Sequence, residues 1–176
     1  CRIFLPSCRY YCYFYNSYDD RTFNSICYGR NYIISYNGEL YNFRELRAEL
    51  EKIGHTFKST SDTEVVLKAY VQWGSECVNR FNGMFAFAIW DKTLQELFLA
   101  RDRYGIKPLY YSFQDQIFLL GSEQKALCAH PVFKRDLDTE SLLEYFTFQN
   151  LFTDKTFFKS VNIFPAGCWA KLSQRT

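Results

Sequence analysis

Histidine is nearly absent from this chain of 176 residues, which has only 2, His55 and His130. Neither stands beside a candidate nucleophile, and His55 falls in a GHTF bend where a packed or solvated imidazole is the ordinary outcome. A serine or cysteine triad, which needs an imidazole within reach, therefore has no support. Basic residues are not gathered together either. The formal net charge is +2, with 21 lysines and arginines scattered among 19 acids, so no basic stripe exists to track a phosphate backbone, and nucleic acid is not an expected partner. Apolar stretches such as Met84 to Trp90 fall far short of the roughly 20 residues that a spanning helix requires. No charged-then-apolar leader opens the chain. The expectation is a soluble, cytoplasmic protein with no membrane partner.

Cysteine is present, but not as a framework. The 7 cysteines are odd in number and irregularly spaced, so reduced thiols are the simpler reading. Cys1, Cys8, Cys12 and Cys27 crowd the opening; only Cys8 and Cys12 are close together, and no histidine lies near them. That is poor spacing for zinc, and no metal is expected. A chain of this length with 48% hydrophobic residues can bury a core without disulfides, and one domain of ordinary size is the default.

The opening text CRIFLPSCRYYCYFYNSYDDRTFNSIC has neither a helical nor a strand period and is set apart, over residues 1–30, as an aberrant segment. From Tyr32 the chain is orderly. Ile33, Ile34 and Tyr36 form a strand that Asn37-Gly38, a turn dipeptide, is expected to end. Phe43, Leu46, Leu50 and Ile53 recur at helical spacing, with Asn42 placed to cap and Gly54 to stop. Ser61, Asp62, Thr63 and Glu64 read as a capping box ahead of a second helix closed by Gly74. Met84 to Trp90 with Leu97 to Ala100, and Leu109 to Phe113 with Ile117 to Leu120, read as hairpins of sheets buried on both faces. Ser122 to Cys128 and Thr139 to Phe148 read as helices. No repeat or low-complexity linker divides them, and helices flanking antiparallel hairpins point to a layered α+β sandwich.

The strings YNGELYN, SDTE, RFNGMFAFAIWD, ARDRYGIKPLYYS, SEQKAL and FPAG occur in this order over about residues 32 to 168. Together they closely resemble the glutaminase domain of asparagine synthetases, a class II glutamine amidotransferase; amidophosphoribosyl- and hexosephosphate-type relatives are close runners-up. Their joint presence is far more specific than any one short motif. The resemblance implies an N-terminal-nucleophile hydrolase fold, a four-layer αββα sandwich of antiparallel sheets, here lacking part of one outer layer. It implies Cys1 as nucleophile, with L-glutamine as the substrate. A thiol of ordinary pKa about 8.5 beside a terminal amine of about 7.7 to 8.0 carries its own candidate base. By the same resemblance Asn37 and Gly38 form the oxyanion hole, Asp62 receives the α-amino group of glutamine, and Glu39 lies in the adjacent substrate-contacting turn. Taken alone, Asn37-Gly38 reads as a structural turn, and only its place inside YNGELYN reverses that; Asp62 alone reads as a first-turn acid that the helix dipole favours by about 0.3 to 1 kcal/mol. Arg101 and Asp102 are read as fixing their hairpin rather than touching substrate.

The chain also departs from that family. Arg2 follows Cys1 where the family has glycine, and the arginine-bearing segment that grips the substrate carboxylate has no match; Arg9, Arg21 and Arg30 lie in no corresponding motif. After FPAG the sequence stops at Thr176, so residues 31–176 are expected to be an amidotransferase domain truncated before its synthetase domain. ATP and magnesium are expected only for that domain, and no cofactor for this one. The other expected partners are a synthetase domain and a second copy in a homodimer. The competing expectation is a non-catalytic, degenerate fragment acting at most as a binding or structural module.

Overall fold

The computed structural model describes residues 31–173 in full, and of the preceding stretch the backbone of three short strands, 2–3, 10–13 and 24–28. The elements in chain order are β1 (Arg2–Ile3), β2 (Tyr10–Tyr13), β3 (Asn24–Tyr28), β4 (Tyr32–Leu40), α1 (Phe43–Lys52), α2 (Asp62–Trp73), a 3-10 helix (Gly74–Arg80), β5 (Gly83–Asp91) and β6 (Glu96–Arg101). There follow β7 (Tyr110–Gln114), β8 (Ile117–Gly121), α3 (Gln124–Cys128), α4 (Thr139–Phe148), β9 (Val161–Ile163) and β10 (Trp169–Ser173). They divide into two compact units, one of Cys1–Phe23 with Pro108–Pro165, the other of Asn24–Lys107 with Ala166–Thr176.

The second unit is a five-stranded antiparallel sheet in the order β10-β6-β5-β4-β3. Its centre is β5, whose continuous apolar run leaves no face for water. Phe85, Phe87 and Ile89 join Ile34, Tyr36 and Leu40 of β4 in a cluster closed by Leu46 and Leu50 of α1 and by Val65, Val66, Ala69 and Tyr70 of α2. Ala86, Ala88 and Trp90, of opposite parity, are buried as well. Each large side chain so withdrawn contributes about 1.5 to 3 kcal/mol.

Two caps differ from expectation. Asn42 does not cap α1 through its side chain; its carboxamide donates to the Arg80 carbonyl at 2.9 Å and accepts the Asn82 N–H at 3.0 Å, tying the start of α1 to the entry of β5. At α2 only half of the expected box forms. The Ser61 hydroxyl accepts the Thr63 N–H at 3.2 Å, while Glu64 turns to the preceding loop, taking the N–H groups of Lys58 at 3.0 Å and Ser59 at 2.7 Å. Gly74 does close α2, with φ 59° and its N–H on the Tyr70 carbonyl.

In the first unit the order is β1-β2-β8-β7-β9. β2 runs parallel to β8, the one departure from antiparallel pairing among the described strands. The β7–β8 turn places Asp115 at φ 48° and Gln116 at φ 64°, the left-handed pair that a two-residue hairpin requires. Leu119 and Val161 of this sheet pack with Ala126 and Leu127 of α3 and with Phe133. α3 has 5 residues, against 10 in α1 and 12 in α2. α4 is capped by Asp138, which accepts the Ser141 N–H at 2.9 Å. Of its ten residues only Ser141 is buried. The layered expectation thus resolves, within each unit, into a sheet and its helical cover.

Candidate functional site

Asn37-Gly38 is not a turn. β4 runs straight through it, with Asn37 opposite Ala86 and Gly38 opposite Phe85. Phe85 directs both of its backbone groups to its other neighbour. Its carbonyl accepts the Asp102 N–H at 2.8 Å, and its own N–H donates to Asp102 Oδ2 at 3.2 Å. Residues directly opposite in an antiparallel ladder exchange both hydrogen bonds or neither. Gly38 and Phe85 are therefore a non-bonded pair, and the Gly38 N–H and C=O point away from β5, towards the β3 edge. The described part of β3 begins at Asn24, which lies opposite Tyr36, so the ladder drawn by the described strands ends short of Gly38.

The same parity holds two residues on. Leu40 sends its N–H away from β5, to Asp62 Oδ2 at 3.0 Å. One strand edge thus presents the Gly38 N–H and, one repeat further, a carboxylate clamped to the Leu40 N–H. Glycine at 38 is dictated by closeness, since non-bonded pairs bring Cα atoms to about 4.5 Å. A Cβ there would lie 2.3 Å from the Met84 carbonyl oxygen and 2.7 Å from the Phe85 Cα.

Asp62 is the first residue of α2, placed there by the Ser61 cap. Its Oδ2 also accepts the Tyr36 hydroxyl at 3.1 Å. Tyr36 is 5% exposed. Burial first, and then the Asp62 carboxylate, push its phenol well above the ordinary range, so it remains a neutral donor. Sequence reasoning missed Tyr36; the available signal was that positions 36, 38 and 40 share one side of a strand.

Of the remaining sequence candidates, Asn37 is half-buried and Glu39 exposed. Cys1, Arg9, Arg21 and Arg30 lie outside the residues whose side chains are described. Asp102 is buried and accepts four backbone N–H groups, from Phe85, Tyr104, Ile106 and Lys107. Arg101 donates to the carbonyls of Lys107 at 2.8 Å and Gly105 at 2.7 Å. Both fix the loop after β6, as expected. His55 pairs with Gln72 on the surface at 2.8 Å, and His130 Nδ1 accepts the Val132 N–H at 3.2 Å. Among the described residues no helix is long and apolar enough to cross a membrane.

Fold and site define an α+β domain with a helix-covered antiparallel sheet, one strand of which turns a glycine N–H away from β5 and holds a pinned carboxylate two residues on. The description "Glutamine amidotransferase domain" matches residues 26–176. The chain belongs to that family. It is 52% identical over 118 residues to asparagine synthetase [glutamine-hydrolyzing] 3 of Bacillus subtilis (strain 168), covering 67% of this chain and 19% of that protein. To asparagine synthetase [glutamine-hydrolyzing] 1 of the same organism it is 45% identical over 136 residues, covering 76% and 20%. A putative asparagine synthetase [glutamine-hydrolyzing] of Mycobacterium tuberculosis (strain ATCC 25618 / H37Rv) is 37% identical over 145 residues, covering 80% and 22%. The chain thus spans about a fifth of the length of these relatives. Among solved structures, the glutamine phosphoribosylpyrophosphate amidotransferase of B. subtilis superposes with a TM-score of 0.51 at 25% identity, covering 58% of this chain and 24% of that one.

Proposed function

We propose that this domain hydrolyses L-glutamine to glutamate and ammonia. The observation that carries the reading is the pairing on the β4 edge of the Gly38 N–H with the Asp62 carboxylate held at Leu40. Two residues of strand span about 7 Å, a length comparable to the reach of glutamine from its α-nitrogen to its side-chain carbonyl, four bonds away. The ammonium end would sit on Asp62, and the amide oxygen would meet Gly38 N–H with the Asn37 carboxamide as second donor. Glu39 borders the same end.

In this reading the Cys1 thiol adds through sulfur to the amide carbon, its proton passing to the terminal amine. The carbonyl oxygen becomes an oxyanion, which the Asn37 and Gly38 donors stabilise. Collapse expels the amide nitrogen, which takes the proton back and leaves as ammonia. Water then cleaves the thioester, giving glutamate and restoring the thiol. The ammonia passes to a synthetase module that makes asparagine from aspartate; ATP and magnesium act there, and the hydrolysis itself uses no cofactor. The reading places the protein in the cytoplasm.

Arg2, standing where a small residue would leave room beside the nucleophile, favours a second reading in which glutamine is bound but not turned over. The deciding assay is glutamate and ammonia release by the purified chain and by Cys1→Ala, after intact mass has verified the terminus. Release that depends on Cys1 supports hydrolysis, whereas folded protein that releases neither product supports the second reading.

A further inference from the structure

We propose that Tyr36 is a positioning residue that makes the site select for the free α-ammonium group of its ligand. The proposal rests on the glutaminase reading above and adds to it a determinant of specificity.

Among the described residues Asp62 has no counter-ion. Its two oxygens offer about four acceptor positions. Among the described residues two are filled, both on Oδ2, by the Tyr36 hydroxyl at 3.1 Å and the Leu40 N–H at 3.0 Å. Both donors are neutral. No lysine, arginine or histidine among the described residues pairs with Asp62, although Glu64, two residues on, has Lys68 at 3.2 Å. A half-buried carboxylate whose described partners are two neutral donors on one oxygen suits a ligand that brings a positive charge.

Tyr36 fixes which oxygen faces that ligand. Its ring is anchored in the sheet core, with Phe87 6.4 Å away between centroids, so its hydroxyl approaches Asp62 from the body of the sheet. The Leu40 amide approaches the same oxygen from further along the strand. Together they set the carboxylate plane through Oδ2, and Oδ1, which takes no hydrogen bond from the described residues, is the acceptor for an ammonium group. Without the hydroxyl, Oδ2 keeps one donor, and the carboxyl group gains a rotational freedom that an incoming cation must remove.

The test compares kcat and KM for glutamine and for 4-carbamoylbutanoate, the same amide without the α-amino group, in the wild-type chain and in Tyr36→Phe. Loss of a hydrogen bond to a charged group should raise KM for glutamine about tenfold, with kcat for glutamine changed less than twofold. The desamino amide should react alike in both proteins. Asp62→Asn guards against a purely structural effect: in that background, adding Tyr36→Phe should change KM less than twofold, because the hydroxyl acts through the carboxylate. Wild-type turnover with the same KM in Tyr36→Phe would overturn the inference alone. So would an equal loss on both substrates, or an undiminished effect in the Asp62→Asn background. Failure of the folded wild type to turn over or bind glutamine would overturn the glutaminase reading and this inference with it.

Discussion

Replacing Gly38 by alanine sets a Cβ 2.3 Å from the Met84 carbonyl oxygen, a contact with backbone that no rotamer relieves. The strands must part at the very pair that turns the Gly38 N–H away from β5. A loss of about 1 to 3 kcal/mol is expected from such overpacking, read as a lower urea midpoint at unchanged slope. Asn37 offers the contrast. It is half-buried and outside the apolar cluster, so Asn37→Ala should leave the unfolding midpoint nearly in place. On the proposed reading it should nevertheless lower kcat by about 10² to 10³, the usual effect of removing one oxyanion donor, measured as steady-state glutamate release. A fall in stability without a selective fall in kcat would assign Asn37 to the framework.

At the scale of the element, α2 is held to the loop before it by a buried ionic cluster. Burial alone would raise the Glu64 pKa. The N–H groups of Lys58 and Ser59, the Ser59 hydroxyl and Lys68 outweigh it and bring the pKa from the ordinary 4.5 down to about 2. Lys68 is fully buried, with its Nζ 4.1 Å from the centre of the Phe57 ring. A carboxyl whose folded pKa is depressed stabilises the fold above its unfolded pKa, and that contribution is lost as pH falls towards the folded value. Glu64→Gln, which removes the carboxylate charge 3.2 Å from the buried Lys68 Nζ, should cost about 3 to 5 kcal/mol at pH 7. The gap from wild type should narrow between about pH 4.5 and pH 2, as wild-type Glu64 takes up its proton. Denaturant titrations of both proteins across that range provide the check, and a gap independent of pH would contradict it.

The long-period elements were legible in the sequence. β5 and β6 follow from apolar runs, and α4 from its pattern over Thr139–Phe148. What was not legible depended on neighbours distant in the chain. Asn37-Gly38 carries a turn signal, yet pairing with β5 over the nine residues of β4 overrides it. Asn42 is placed to cap but is drawn off by Arg80 and Asn82, which arrive only when the strand after α2 folds back. β9 is 3 residues long, and β10 alternates between exposed and half-buried positions, so neither has an apolar run to announce it. The candidate site shows the same division. Asn37, Gly38 and Asp62 were visible through motif resemblance, whereas the bond from Tyr36 to Asp62 joins residues 26 apart and is visible only in the fold.

For the molecule as a whole, the family match begins at residue 26 and runs to residue 176, and the stretches aligned with the asparagine synthetases cover 19% and 20% of those proteins. Within the first unit α4 holds little of the core. Leu143, Phe146 and Phe148 are 69%, 78% and 61% exposed, and Phe152 beside them 68%. Since they bury little, Leu143→Gln with Phe146→Gln should shift stability by no more than about 0.5 kcal/mol and should lessen self-association by removing an apolar patch. Thermal unfolding and sedimentation of the variant measure both. A marked loss of stability would show that α4 is part of the core.

The most direct measurement is to mix the purified chain with glutamine, quench in acid within the first turnovers, and map the N-terminal peptide by mass spectrometry. A γ-glutamyl thioester on Cys1, absent from Cys1→Ala and lost with time as glutamate appears, is the expected result. Folded protein that carries no adduct while its glutamine is recovered intact would contradict the assignment of glutamine hydrolysis to this chain.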